Sequence, residues 1–145
     1  SRNGFHSLLV LNDSRFNFNH CDFLGFGSAQ SPAIGIRNYL NDPNETASIS
    51  EGVLYNSIIC GNLETEIILD TIIDFPGQLN LDIQNCFIQS EEEYSDAFYQ
   101  NNIWRIDLDN STDPQFNSIS DMDYGFSSNS ILNANGFAVA DQVYS

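Results

Sequence analysis

The sequence predicts an all-β fold in which the chain winds as a parallel β-helix of about four to six rungs. First, a ten-residue pattern occurs three times, at residues 16–25, 52–61 and 81–90. Second, the strand-like segments are short and separated by turns, and no stretch of a dozen residues keeps helical spacing. Third, consecutive parallel strands need long crossovers unless each coil pairs with the coil below it. An antiparallel sandwich also has many short strands, but it does not explain the repeated pattern.

Each copy of the pattern carries a polar corner between two apolar stretches. One column of the repeat holds His or Asn, and the next column holds Cys or Ser. Asn tolerates left-handed backbone in turns, and stacked Asn side chains form hydrogen-bonded ladders. We therefore expect a structural ladder through successive rungs. Its members are His20, Asn56 and Asn85 in the first column, and Cys21, Ser57 and Cys86 in the second.

The strands are predicted from apolar or alternating segments, taken in chain order. They lie at residues 7–11, 16–23, 33–36, 53–59, 66–70, 79–83 and 103–108. Turn signals at Pro32, at residues 41–44, at residues 76–77 and at residues 113–114 separate them. The length of 145 residues suits one domain, so residues 1–145 are predicted to form a single unit.

Composition excludes several classes of function. Hydrophobic residues make up 41% and aromatic residues 12%, which argues against a disordered chain. The formal net charge is −16, with no lysine. Because nucleic acids and anionic membrane surfaces are bound by cationic side chains, neither is expected as a partner. No run of 18 apolar residues occurs, so no membrane span is predicted.

The three cysteines are predicted to be small buried thiols. Cys21 and Cys86 share a column but lie two rungs apart, about 9.6 Å at the usual strand spacing. A disulfide requires Cα atoms within about 7 Å. The cysteines also lack the paired spacing of a zinc site.

Several segments resemble right-handed parallel β-helix repeat proteins, most closely surface or secreted members of Bacteroidota. The segments are residues 16–23, 55–62, 66–70 and 84–89. Residues 113–130 are similar to the stretch that ends the coil in these proteins, although Ile131 stands where proline is usual. The resemblance implies a pectin-lyase-like fold and the C-terminal rungs of a longer coil. It also implies an extracellular or outer-membrane location, with a lipid anchor in a missing N-terminal region.

The resemblance implies an alternative as well, a polysaccharide-active enzyme that acts on acidic glycans. In lyases of this fold, acids hold Ca²⁺ against a uronate and an Arg or Lys removes a proton. Arg105, Asp107 and Asp109 are the candidates for catalysis, and Trp104 is the candidate for stacking on a sugar. Arginine is a poor general base because it stays protonated. Turn and rung-edge acids therefore explain these residues more readily.

A hydrolase is the second enzymatic class, ranked behind the lyase. It needs two carboxylates at a fixed separation across the scissile bond. Asp121 and Asp123 would point the same way if both lay on one strand.

Calcium is the one cofactor that the sequence suggests. The acids of residues 107–113 have the spacing of a hard-cation loop, although Gly is missing at the sixth position and Ser118 stands at the twelfth. The segment therefore fails as an EF-hand and predicts at most a generic calcium turn. Its ligands would be Asp107, Asp109 and Asp113.

The function predicted first is a non-catalytic extracellular or cell-envelope module, acting as a rigid binding scaffold or as a subunit of a surface assembly. The first strand has little sequence ahead of it to cover the first rung, and open sheet edges recruit further strands. A protein partner or the missing N-terminal rungs are expected at this open end. A cell-surface glycan is the other partner considered.

Overall fold

The computed structural model describes residues 8–10, 15–26, 30–39, 49–70 and 79–134, and within them the prediction of an all-β fold is confirmed. The strands are β1 (Leu8–Val10), β2 (Arg15–Asn19), β3 (Asp22–Gly25), β4 (Ile34–Arg37), β5 (Ile49–Tyr55), β6 (Ile58–Gly61), β7 (Ile67–Asp70), β8 (Leu79–Gln84), β9 (Phe87–Ser90), β10 (Tyr99–Gln100), β11 (Ile103–Ile106), β12 (Phe116–Ser118) and β13 (Asp123–Phe126). A 3₁₀ turn at Asn110–Thr112 and one helical turn, α1, at Ile131–Ala134 complete the elements of this part of the chain.

The first eleven strands form three parallel sheets that the chain visits in turn. The first sheet has the order β1-β4-β7, the second β2-β5-β8-β10 and the third β3-β6-β9-β11. Neighbouring strands come from successive coils: Phe18 pairs with Leu54, and Leu54 pairs with Ile83. β12 and β13 form a separate antiparallel pair.

Most predicted strands are present, with bounds that the backbone explains. The predicted strands 16–23 and 53–59 are each divided in two at a corner, which lies at His20 and at Asn56. The strand predicted at 103–108 ends at Ile106, because Asp107 and Leu108 adopt left-handed backbone with φ of 49° and 54°. The turns predicted at residues 41–44 and 76–77 lie outside the described residues.

The core lies between the three sheets and is built by stacking like side chains. Leu54 and Ile83 stack in the second sheet, and Ile59 and Ile88 belong to the same cluster from the third sheet. Ile34 and Ile67 of the first sheet complete it. These side chains are fully buried, and each contributes about 1.5–3 kcal/mol by leaving water.

Aromatic side chains pack at the two ends of this core. Tyr94 and Tyr99 pack against Trp104 beside the last rung, with ring centroids 5.5 and 5.3 Å apart. Phe18 packs against Phe23 in the first rung, at 5.4 Å. At that end, β1, β2 and β3 each have one partner strand among the described residues and form the edges of the three sheets.

The C-terminal segment (residues 107–134) packs back onto the third sheet. Asp113 forms an ion pair with Arg105 of the edge strand β11. Phe116 and Tyr124 contact Phe26, which directly follows the opposite edge strand β3, at centroid distances of 5.8 and 6.2 Å. The segment therefore reaches across the third sheet from one edge to the other.

Candidate functional site

The corners between the second and third sheets share one backbone conformation. His20, Asn56, Asn85 and Asn101 have φ of 56°, 50°, 54° and 54°, in the left-handed region. Their N–H groups link successive rungs: those of His20, Asn56 and Asn85 each donate to a carbonyl in the next rung at 3.1 Å. Asn and His enter this region more readily than other residues with a Cβ atom. The structure thus places the three predicted residues at equivalent corners of adjacent rungs.

In the part of the chain that the structure describes, no hydrogen bond joins the side chains of His20, Asn56 and Asn85 to one another. Asn56 Nδ2 donates instead to Asn19 Oδ1, at 3.0 Å. Asn56 Oδ1 is buried and has no partner in the described part of the chain. The property that the corner residues share is therefore their backbone conformation.

The second column joins the rungs through side-chain to backbone hydrogen bonds. Ser57 Oγ accepts from the Cys21 N–H at 3.1 Å and donates to the Tyr55 carbonyl at 2.7 Å. Asn102 Oδ1 accepts from the Cys86 N–H at 2.8 Å. All three cysteines are free, as predicted, but only Cys60 and Cys86 are buried, since Cys21 is partly exposed. Burial raises the pKa of the Cys86 thiol to about 12.

A fourth copy of the repeat was missed by the sequence reasoning. It comprises β10, the corner Asn101–Asn102 and β11, and it follows the third copy after only 16 residues (101 − 85). The spacing is short because the described chain passes from β9 to β10 without a strand in the first sheet. The sequence signal for this copy was the pair Asn101 and Asn102 directly before the apolar residue Ile103.

Arg105, the candidate general base, is buried and engaged on every side. Its Nη1 donates to Gln89 Oε1 at 3.1 Å, and its Nη2 donates to Asp113 Oδ2 at 2.8 Å. Its Nε donates to the carbonyl of Asp109 at 3.3 Å. A general base must be within reach of a substrate proton, so this arrangement favours a structural role for the guanidinium.

The acids near Arg105 have local partners of their own. Asp109 accepts from the Ser111 N–H at 2.8 Å, and the hydrogen bonds from Ser111 lower the pKa of the Asp109 carboxyl. Asp113 accepts from the Gln115 N–H at 2.7 Å, and Asp107 is exposed. In the described ranges no three His, Cys, Asp or Glu side chains form a group that could hold a metal ion. The calcium site stays a prediction.

The other enzymatic candidates, Trp104, Asp121 and Asp123, lie in different elements of the fold. Trp104 is half-buried beneath Tyr94 and Tyr99, as part of the aromatic end of the core. Asp121 lies in the turn before β13, whereas Asp123 begins that strand. The premise that both acids lie on one strand is therefore wrong, because the turn interrupts the alternation.

A groove of about 460 Å³ lies against the first sheet. Its lining residues are Gln30, Ser31, Pro32, Gly35, Ile36, Arg37, Ile68, Leu69 and Asp70. Gly35 pairs in register with Ile68, and both alternate with residues that face the core, so both face outward. Ile68 is 42% exposed, which gives the groove an apolar patch.

A polar cluster forms one side of this groove. Arg37 Nε lies 3.1 Å from Asp70 Oδ2, and the Tyr39 hydroxyl donates to the same oxygen. Arg37 Cζ lies 5.7 Å from the centroid of the Tyr39 ring. The bond to Asp70 raises the pKa of Tyr39, so the phenol stays neutral. The Arg37 and Asp70 side chains are 40% and 45% exposed, and a ligand can reach both.

The sequence contained only part of the signal for this groove. The alternation at residues 34–37 predicts that Gly35 and Arg37 share a face. It does not predict that Asp70, 33 residues later, lies beside Arg37, because that depends on the register between β4 and β7.

Comparison with known proteins gives no match: no family model, no curated protein and no solved structure is significantly similar to the chain. In the part of the chain that the structure describes, no helix is long and apolar enough to cross a membrane.

Proposed function

We propose that the chain is a right-handed parallel β-helix module that acts as a rigid, non-catalytic scaffold and binds a neutral glycan in the groove on the first sheet. The observation that carries this proposal is the cluster of Arg37, Asp70 and Tyr39 beside the exposed Ile68. In the proposed setting, the module is part of a longer protein at the outer-membrane surface or outside the cell.

The coil is supported by the order of the sheets. Each coil places strands in the same three sheets, and equivalent residues pair in register from one coil to the next. Connections between parallel strands of one sheet are almost always right-handed, because twisted strands pack back onto the sheet only in that sense. The same rule supports a right-handed coil for this chain.

A neutral glycan is supported by the chemistry of the groove. Arg37 supplies donors, and Asp70 supplies acceptors for sugar hydroxyls. Because these two charges are paired, the cluster carries no net charge toward an anionic ligand. Ile68 and the Tyr39 ring offer apolar surface to the C–H faces of a sugar, and such a combination of apolar lining and a few polar groups is typical of ligand sites.

The glycan proposal is tested by titrating the protein with a panel of neutral oligosaccharides, using calorimetry or ligand-observed NMR. Asp70→Asn and Arg37→Met each break the cluster, and we expect either to lower the affinity by on the order of tenfold. The matched control is Arg15→Met, which breaks an exposed Arg15–Glu51 ion pair of similar length, 3.2 Å, on the second sheet. We expect this control to bind as the unaltered protein does. Equal binding by all variants, or no binding by any, would refute the site.

A partner strand is proposed at the open end of the coil. Among the described residues, β1, β2 and β3 each pair with one strand, and further rungs or a protein partner can extend the sheets at this end. Size-exclusion chromatography of this chain tests the idea, because a sheet edge that can accept another strand promotes self-association. A stable monomer at high concentration would count against it.

The polysaccharide-active enzyme stays the alternative prediction. Incubation with acidic polysaccharides and detection of unsaturated products by ultraviolet absorbance distinguishes it from the scaffold. The buried position of Arg105 gives this alternative less support than the groove gives the scaffold.

A further inference from the structure

The outer face of the third sheet is buried although it points away from the core. Ile59 and Ile88 belong to the core, and side chains alternate along a strand, so Cys60, Phe87 and Gln89 face outward. All three are nevertheless at most 1% exposed. Such burial requires a second layer over the sheet. Among the described residues, the C-terminal segment contacts both edges of this sheet, at β11 and behind β3.

A buried polar chain attaches the C-terminal segment to this face. Asp113 binds Arg105, and Arg105 donates to Gln89. Gln89 Nε2 in turn donates to the carbonyls of Gly61, at 3.1 Å, and Leu63. This series of polar contacts therefore begins at Asp113 in the C-terminal segment and ends in the coil. Its other members, from Arg105 onward, belong to the parallel sheets or to the turns between them.

The polar chain continues to the fully buried Glu66 at the turn between the third and first sheets. The Leu63 N–H donates to Glu66 Oε1 at 2.9 Å, and the Ala33 N–H donates to Glu66 Oε2 at 2.7 Å. These contacts are internal to the coil and do not need the C-terminal segment. Among the contacts described for the segment, the Arg105–Asp113 link and the backbone contacts of Arg105 join it to the coil through polar groups.

The other described attachment of the C-terminal segment to the coil is a set of aromatic contacts beside the edge strand β3. Its β12–β13 pair bonds to itself and joins none of the three parallel sheets. Ile119 is 46% exposed and Met122 is 74% exposed, so its apolar turn stands in solvent. Phe26 is the residue of the coil against which Phe116 and Tyr124 pack. The apolar turn of the hairpin therefore adds no buried contact with the coil, and Phe116 and Tyr124 make the described aromatic contacts with it.

We infer that the C-terminal segment is a strap that detaches from the third sheet as a unit while the parallel coil stays folded, with the Arg105–Asp113 contact as its catch. The strap opens locally because its own hairpin and the coil each keep their backbone hydrogen bonds. Opening also hydrates both charges of the catch, so it leaves no buried unpaired charge. The open state presents Cys60, Phe87 and Arg105 on an uncovered sheet face. This inference stands apart from the proposed glycan site.

Native-state thiol labelling tests the strap because the chain carries two suitable cysteines. Cys60 lies on the outer face of the third sheet, which the inferred strap covers, and Cys86 lies in the coil core; both are fully buried. A Cys21→Ser background removes the partly exposed thiol, and Ser already occupies the equivalent position at Ser57. The protein is treated with a maleimide reagent, and each site is followed by peptide mass mapping. We expect Cys60 to be modified on the order of tenfold faster than Cys86.

Substitutions at the catch provide the decisive comparison. Asp113→Asn keeps the shape of the side chain and removes its charge, so we expect Cys60 labelling to rise by on the order of tenfold while Cys86 labelling is unchanged. Asp70→Asn breaks an ion pair of the first sheet and is expected to change neither rate. Phe116→Ala weakens the aromatic attachment and should act as Asp113→Asn does. Equal labelling of Cys60 and Cys86 in every variant would overturn the inference, because both would then react only through global unfolding.

Discussion

At the scale of single residues, the corner positions show how one backbone requirement produces a repeat. Left-handed backbone costs a residue with a Cβ atom about 1–2 kcal/mol; Gly avoids this cost, and Asn, Asp and His enter the region more readily than other residues. The chain meets this requirement with His20, Asn56, Asn85 and Asn101. The cost of an unsuitable residue at each corner explains why Asn occupies three of these four corners and His the fourth.

Asn85 provides a direct test of this requirement. Asn85→Ala is expected to lower the free energy of unfolding by about 1–2 kcal/mol, since Ala pays the left-handed penalty. Asn85→Gly is expected to cost less, because Gly enters this region freely. Urea unfolding of both variants gives the difference, with Asn17→Ala on the exposed face of β2 as the control. Equal stability of the Ala and Gly variants would contradict the assignment.

At the scale of elements, the packing of one turn against the third sheet determines which residues can occupy the ends of β3 and β6. The turn before β7 buries Glu66 against the ends of β3 and β6, where Gly25 and Gly61 leave room for its carboxylate. A Cβ atom would lie 2.7 Å from Glu66 Cδ at Gly25 and 2.6 Å from it at Gly61. Burial raises the pKa of Glu66, while backbone N–H donors hold its carboxylate in place. The turn and the third sheet are therefore fitted to one another.

Gly61→Ala tests this fit. It is expected to lower the free energy of unfolding by about 1–3 kcal/mol through overpacking, because Glu66 cannot move without losing its donors. Gly125→Ala is the matched control, since the nearest atom there is Asn117 Nδ2, at 2.9 Å on a flexible exposed side chain. Thermal or urea unfolding measures both. In a Glu66→Ala background, the cost of Gly61→Ala should largely disappear, and an unchanged cost would refute the assigned contact.

At the scale of the whole molecule, repetition allowed much of the architecture to be predicted. The all-β fold, the corner columns and most strands followed from periodicity within residues 16–90. The fourth rung was missed because its spacing breaks the period, and the groove was missed because the sheet register joins Arg37 to Asp70. The sequence makes Arg105 a catalytic candidate because acids lie near it in the chain. Sequence proximity does not show that packing buries its guanidinium.

The most direct test of the coil is disulfide trapping between residues on the outer face of the second sheet. Asn17 pairs with Val53 on the adjacent strand, and Val53 pairs with Asp82 on the strand after it. Asn17 and Asp82 are therefore two strands apart. In a Cys21→Ser background, the double variant Asn17→Cys with Val53→Cys should form a disulfide under mild oxidation, because adjacent strands lie within the roughly 7 Å limit. The variant Asn17→Cys with Asp82→Cys should not, at about 9.6 Å. Bridging of the second pair without the first would contradict parallel, in-register stacking.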